Sequence, residues 1–187
     1  MQVQSLAIPA VKLITPLRHG DHRGFFSETW NAARFAEAGL DLAFVQDNHA
    51  KSAQPGTVRG LHFQTPPFAQ DKLVRVVRGA IMDVAVDLRH GSPSFGQHVS
   101  AVISADLGNQ ILVPKGFAHG LVTLEPETEV LYKVTGLYAP DHDKGLLWND
   151  PALGIDWGIA EGDAVLSEKD RAQPRLADLP TYFAHDG

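Results

Sequence analysis

Arg59 and His62 stand in VRGLHFQ, a run whose Val, Leu and Phe otherwise read as a buried strand. Lys72, His119, Tyr132 and Tyr138 fall in other runs of the same kind. Burying this many polar groups is costly unless they pair with one another or serve a ligand. If they converge, a neutral imidazole is a base near pH 7, a phenol gives or takes a proton, and an ammonium or guanidinium stabilises charge developing on oxygen. That set suits removal of a proton next to a carbonyl. A carbon acid is far weaker than imidazolium, so the step needs a donor at the enolate oxygen, where one positioned group contributes about 3 kcal/mol. The other reading of His62 is a core histidine satisfied by a hydrogen bond, and side-chain parity alone does not choose between the two.

Histidines in a β-rich chain also suggest a metal. Metal-binding cupin barrels carry an H-x-H pair with a later Glu, then P-x-G-x-x-H. PKGFAH, ending at His119, resembles the second element. The first departs from it: the pair is His62-Phe63-Gln64, and AQDKLV offers Lys72 where a carboxylate ligand would be sought. An ammonium beside a dication is electrostatically unfavourable and an amide is a weak replacement for imidazole. Proton chemistry is therefore favoured over a metal oxygenase.

The elements that must position these groups are short. Nine runs read as strands: VKLITPL (11–17), LAFVQDNHA (42–50), TVRGLHFQ (57–64), KLVRVVRG (72–79), AIMDVAVDLR (80–89), QHVSAVIS (97–104), NQILVP (109–114), AHGLVTL (118–124) and TEVLYKVTGLY (128–138). Separated by Gly, Pro, Asp and Asn, they predict an all-β sandwich or barrel. Parity puts Arg59 opposite His62, so for both to face one site the strand must break its alternation, and Gly60 between them is the bulge position. In AIMDVAVDLR, parity gives Met82, Val84, Val86 and Leu88 one face in the core and leaves Asp83 and Asp87 on the other, without a catalytic role. Only NAARFAEAG reads well as a helix, capped by Asn31 and stopped at Gly39, with a second helix start at Ser167 in SEKD. Past about residue 140, DHDKGLLWNDPALGIDWG reads as an ordered loop anchored by Trp148 and Trp157, followed by a short polar tail.

Composition excludes several classes. The 187 residues suffice for one domain with a substantial core, and 44% hydrophobic with 20% charged residues is ordinary for a globular protein. With no cysteine, thiolate catalysis, disulfides and Cys-ligated zinc are absent. A net charge of -6 argues against nucleic acid as partner. Arg18, Arg23, Arg59, Lys72, Arg75 and Arg78 nevertheless concentrate in the first half, where a basic pocket could meet a small anion. The start lacks a signal-peptide pattern and no long apolar run suggests a membrane span.

Between about residues 13 and 175 the phrases DHRGFFSETW, FVQDNH, VRGLHFQ, QDKLVRVVRGAIMDVAVDLR, PSFG, LVPKGFAHG, VLYKVTGLYAP, LLWNDP and LSEKD follow in one order. Together they resemble the dTDP-4-dehydrorhamnose 3,5-epimerases, sugar-nucleotide enzymes with a metal-free, cupin-like jelly roll. The resemblance implies an all-β double-stranded β-helix with a few short peripheral helices, a single domain over residues 1–187 with a short C-terminal tail, and no metal or redox cofactor. It implies conversion of dTDP-4-dehydro-6-deoxy-D-glucose to dTDP-4-dehydro-L-rhamnose by inversion at C5 and C3 through an enolate. A mono-epimerase acting at C3 or C5 alone, or a non-catalytic sugar-nucleotide binding module, is the alternative. Under this resemblance His62 is the base, oriented by Asp170, Tyr132 is the acid on the opposite face, and Lys72 stabilises the enolate oxygen. Arg23 and Arg59 would take the pyrophosphate and His119 the sugar or phosphates. Glu28, Gln46 and Asn48 would take the thymidine, Asp47 would also bind substrate, Tyr138 or Phe26 would stack on a ring, and Lys169 would contact ligand. Where many members have a Glu, this chain has Asp143, a shorter carboxylate. A cytoplasmic homodimer, with the N-terminal strand region exchanged between protomers, is also implied.

Overall fold

Short β-rich runs between turn residues can bury their apolar faces only by pairing into sheets that pack against each other or against covering loops. The computed structural model, which describes residues 1–185, is built this way. The chain opens with β1 (Gln2–Ser5), β2 (Lys12–Thr15), the hairpin β3 (Arg18–Asp21) and β4 (Gly24–Ser27), then α1 (Ala32–Glu37). The body follows as β5 (Gln46–Ser52), β6 (Val58–Gln64), β7 (Lys72–Arg78), β8 (Ala80–Asp87), β9 (Arg89–His90) and β10 (His98–Ser104). It continues with β11 (Gln110–Val113), β12 (Phe117–Thr123), β13 (Thr128–Val134) and β14 (Asp143–Gly145). Last come α2 (Glu168–Arg171) and β15 (Phe183–Ala184).

Six strands form one antiparallel sheet in the order β1-β2-β11-β7-β13-β5, and five form a second in the order β10-β8-β12-β6-β14. From β5 to β8, and again from β10 to β14, the chain changes sheet at every step. That alternation is the double-stranded β-helix of a cupin-like jelly roll. Side chains from both sheets meet in the interior, among them Val74, Ile81, Ala85, Ile111, Leu121 and Val130.

The outer face of the five-stranded sheet is buried as well. Val58, Phe63, Val84, Val86 and Val122 are covered by Trp148, Leu153 and Trp157 from the segment after β14. Trp157 Nε1 donates to the Trp148 carbonyl at 2.9 Å. The single core face expected for β8 is therefore corrected: Asp83 and Asp87 are both 0% exposed, because each face of this strand has a covering layer.

Asp87 accepts bonds from Arg89 Nε and Nη2 and from the hydroxyls of Ser92 and Ser94, at 2.7–2.9 Å. Burial pushes its pKa up, but these donors outweigh burial and hold it down to about 2. A carboxyl depressed in the folded state contributes stability that is present above its unfolded pKa and lost as pH falls through the folded one. Asp87→Asn is expected to lower stability by about 2 kcal/mol at neutral pH, with the difference vanishing between about pH 4 and pH 2. Urea midpoints of both proteins across that range check it.

Several boundaries differ from expectation for identifiable reasons. Residues 42–45 are not in β5, because Leu42 and Phe44 turn onto a separate cluster around Phe35 of α1. β13 stops at Val134 rather than Tyr138: Thr135 and Gly136 are tied to Asp71 and Gln70 across the turn, so Tyr138 lies on a connecting segment. β1 and β3 are short and polar, β4 pairs with β3 in an exposed hairpin whose two phenylalanines are adjacent and do not alternate, and β14 and β15 are only three and two residues long.

Candidate active site

The register of β6 against β12 explains how Arg59 and His62 share a face. His119 pairs with His62 and Leu121 with Arg59, so two steps on β12 span three on β6. The extra residue falls at Gly60–Leu61. Gly60 has φ +125°, and a Cβ there would lie 2.6 Å from the Gly120 Cα, so the close approach of the two strands admits only glycine. After the bulge, Leu61 and Phe63 join Val58 on the outer face, while Arg59 and His62 both turn inward.

They turn into a cavity of about 300 Å³ between the sheets, which Lys72, His119, Tyr132, Lys169 and Asp170 also line. Two His–carboxylate pairs stand in its wall. His62 Nε2 lies 2.5 Å from Asp170 Oδ1, and Asp170 is itself held by the Ser167 hydroxyl at 2.9 Å. Ser167 also caps α2 by accepting from the Asp170 amide, so one hydroxyl fixes both the helix start and the carboxylate. Burial raises the Asp170 pKa, but its bonds to His62, Ser167 and the Gly60 amide prevail and hold it below the usual carboxylate value. The second pair is His119 Nε2 to Asp83 Oδ2 at 2.8 Å, almost fully buried. Each imidazole thus has Nε2 engaged by its own carboxylate.

Lys72 Nζ reaches the His62 carbonyl at 3.3 Å. Burial lowers its pKa to about 8, against the pull of Asp143 and Asp83. Tyr132, on β13 beside β7 in the sheet opposite His62, has its phenol pKa raised, chiefly by burial, with Arg59 partly offsetting it.

The sequence matches the family model for dTDP-4-dehydrorhamnose 3,5-epimerase over residues 5–178. The chain belongs to the dTDP-4-dehydrorhamnose 3,5-epimerase family. It is 54% identical to the protein of that name from Sinorhizobium fredii, over 99% of this chain and 94% of that one. It is 50% identical to the one from Pseudomonas aeruginosa, over 97% and 99%. A crystal structure of the Legionella pneumophila dTDP-6-deoxy-D-glucose-3,5-epimerase, in complex with dTDP-4-keto-L-rhamnose, superposes with a TM-score of 0.94 at 39% identity, covering 100% of this chain and 99% of that one.

Around the cavity of this epimerase-family chain, the remaining candidates divide into a rim and an outlying group. Lys169 Nζ meets Asp143 Oδ2 at 2.5 Å and the Tyr138 hydroxyl donates to the same oxygen at 3.2 Å, so the shorter carboxylate still ties α2 to the Tyr138 segment. Bonding to Asp143 raises the Lys169 pKa. On β5, Gln46 and Asn48 are bonded to each other at 2.8 Å and share the parity of Ala50, which lines the cavity. Asp47 has the opposite parity and pairs with Lys133 at 2.9 Å, so its side chain is not brought to the cavity. Nor are those of Arg23, Phe26 and Glu28. Arg23 pairs with Asp21 on the β3–β4 hairpin, Phe26 is 70% exposed, and Glu28 pairs with Arg34. Asp83 and Ser167 also bond to groups that line the cavity, a placement that strand parity and helix-start signals do not give them. Asp83 nevertheless carries a signal, since its strand face also holds Ile81 and Ala85 and a charge among them needs a partner.

Proposed function

We propose that this chain converts dTDP-4-dehydro-6-deoxy-D-glucose into dTDP-4-dehydro-L-rhamnose, inverting C5 and C3 by proton removal and return. The observation that carries the reading is the placement of His62, backed by Asp170, and Tyr132 on different sheets of one cavity, with Lys72 beside them. With Nε2–H donating to Asp170, His62 keeps Nδ1 for the incoming proton, and the carboxylate stabilises the imidazolium that forms. The electrons of the broken C–H bond move onto the C4 oxygen, where the Lys72 ammonium answers the charge. Tyr132, kept protonated by burial, returns a proton to carbon from the other face, which inverts the centre. Arg59 at the cavity wall supplies the guanidinium fork suited to pyrophosphate oxygens.

The deciding experiment is turnover of the 4-keto sugar nucleotide in deuterated water. Label at both C3 and C5 with an L-configured product supports the reading. Label at one carbon moves it to a mono-epimerase, and no label with intact binding makes the chain a binding module. Because Lys72 titrates near pH 8, kcat/KM is expected to fall as pH rises through about 8, where the ammonium is lost. Lys72→Met should show a lower rate and no such limb in its pH profile.

The assembly we propose is a homodimer in which each β3–β4 hairpin reaches the partner's cavity and the chain acts as one epimerase domain. Arg23 and Phe26 support it, since they are exposed and stand away from their own cavity. Mixed dimers of Arg23→Ala and His62→Asn chains are expected to regain activity that neither variant has alone, and mass measurement in solution should give twice the chain mass. A dianionic nucleotide sugar does not cross a bilayer, so the enzyme is expected to work in the cytoplasm where its substrate is made. No helix among the described residues is long and apolar enough to cross a membrane.

A further inference from the structure

Gln64 is the last residue of β6, two places after His62, and is only 4% exposed. Its amide is fully used. Nε2 donates to the Phe68 carbonyl at 2.7 Å and to the Leu137 carbonyl at 3.1 Å, and Oε1 accepts from the Ala139 amide at 2.8 Å. The carbonyl of 137 and the N–H of 139 flank Tyr138, and they are the acceptor and donor that a neighbouring strand would satisfy together in a ladder. β13 has ended at Val134, and β14 does not begin until Asp143. One side-chain amide therefore stands in for a strand under residues 137–139.

Tyr138 needs such a hold. It is 58% exposed, so burial does not fix it. Its other ties are polar and come from the rim: its amide donates to Gln46 Oε1 at 3.1 Å and its hydroxyl to Asp143 Oδ2 at 3.2 Å. Asp143 is in turn the residue registered against Gln64 across the β6–β14 pair. The segment is thus held from beneath by Gln64 and from the side by Gln46.

We infer that Gln64 is a positioning residue for the nucleotide end of the site, its amide clamping the backbone on both sides of Tyr138 so that the ring stands ready to stack on the base. This rests on the function proposed above. Its signature is a loss of nucleotide binding without a matching loss of chemistry, because Gln64 acts on the rim and not on His62 or Tyr132.

Two variants test it. Gln64→Met keeps the volume and removes every bond; Gln64→Glu is isosteric, keeps the acceptor for Ala139 and loses both donors. Each is expected to raise the Kd for dTDP and the KM for the sugar nucleotide about tenfold, the loss of one or two well-made bonds, while kcat changes less than about threefold and its pH profile keeps its shape. A merely structural glutamine would lower the melting temperature with no such split. Wild-type dTDP affinity in both variants, or a fall in kcat at unchanged KM, overturns the inference. Hydrogen exchange of the unmodified protein tests the clamp without relying on the variants folding: the Ala139 amide should be protected like the amides of β13, and free exchange there overturns the clamp. If the wild type neither binds dTDP nor turns over, the proposed function fails, and Ala139 protection still decides the clamp by itself.

Discussion

Replacing His62 with Asn is expected to lower kcat about 10³-fold and to stop deuterium entering the sugar at either carbon. Asparagine preserves much of the ring's volume and a donor for Asp170, so the jelly roll and the Asp170 environment survive. What it lacks is a basic nitrogen facing the cavity. His62 sits at the end of the site where the sugar is proposed to lie, so dTDP affinity should stay within about threefold of wild type, which separates lost chemistry from lost binding. Turnover and label uptake near wild-type rates would show that another group takes the proton. His119, whose Nε2 is committed to Asp83, would then be the residue to replace next.

The second large effect belongs to Tyr132. Burial keeps its phenol protonated through the neutral range, and it enters from the sheet opposite His62. Tyr132→Phe removes the acid and leaves the base, so the two halves of the reaction should separate. Proton removal and return on the His62 face continue, and label washes into substrate that keeps its original configuration. Formation of the L-configured product is expected to fall about 10²-fold. Comparing label in recovered substrate with label in product, by mass spectrometry and NMR, reads both rates at once. Inverted product at the wild-type rate would remove Tyr132 from the mechanism.

The central strands are readable from the amino-acid sequence alone, because β6, β7, β8, β12 and β13 carry dense apolar residues bounded by turn residues. Gly60 is legible too, since two polar residues of opposite parity flank a strand glycine, the residue type that often marks a bulge or a close approach. Parity gives a strand two faces but does not say which of them a distant segment will cover. Asp83 falls for that reason on a face expected to lie outside the core, although the interior and the Trp148–Trp157 segment enclose β8 from both sides. Asp170 cannot be reached by spacing at all, lying 108 positions from His62, and only the likeness of SEKD to a family phrase points to it. Asp47 shows the converse. Strict alternation along β5 separates it from Gln46 and Asn48, and the motif match alone groups the three.

The 108-position span of the His62–Asp170 contact carries a consequence for biosynthesis. All the strands of both large sheets are complete by Gly145, so every one of them is made before α2. The carboxylate that orients the His62 imidazole is made only after them, on α2. A chain cut short before Ser167 would lack the Asp170 carboxylate together with Phe183, which is buried in the same outer cluster as Trp148, so the partner of the base and part of the core behind it are lost in one truncation.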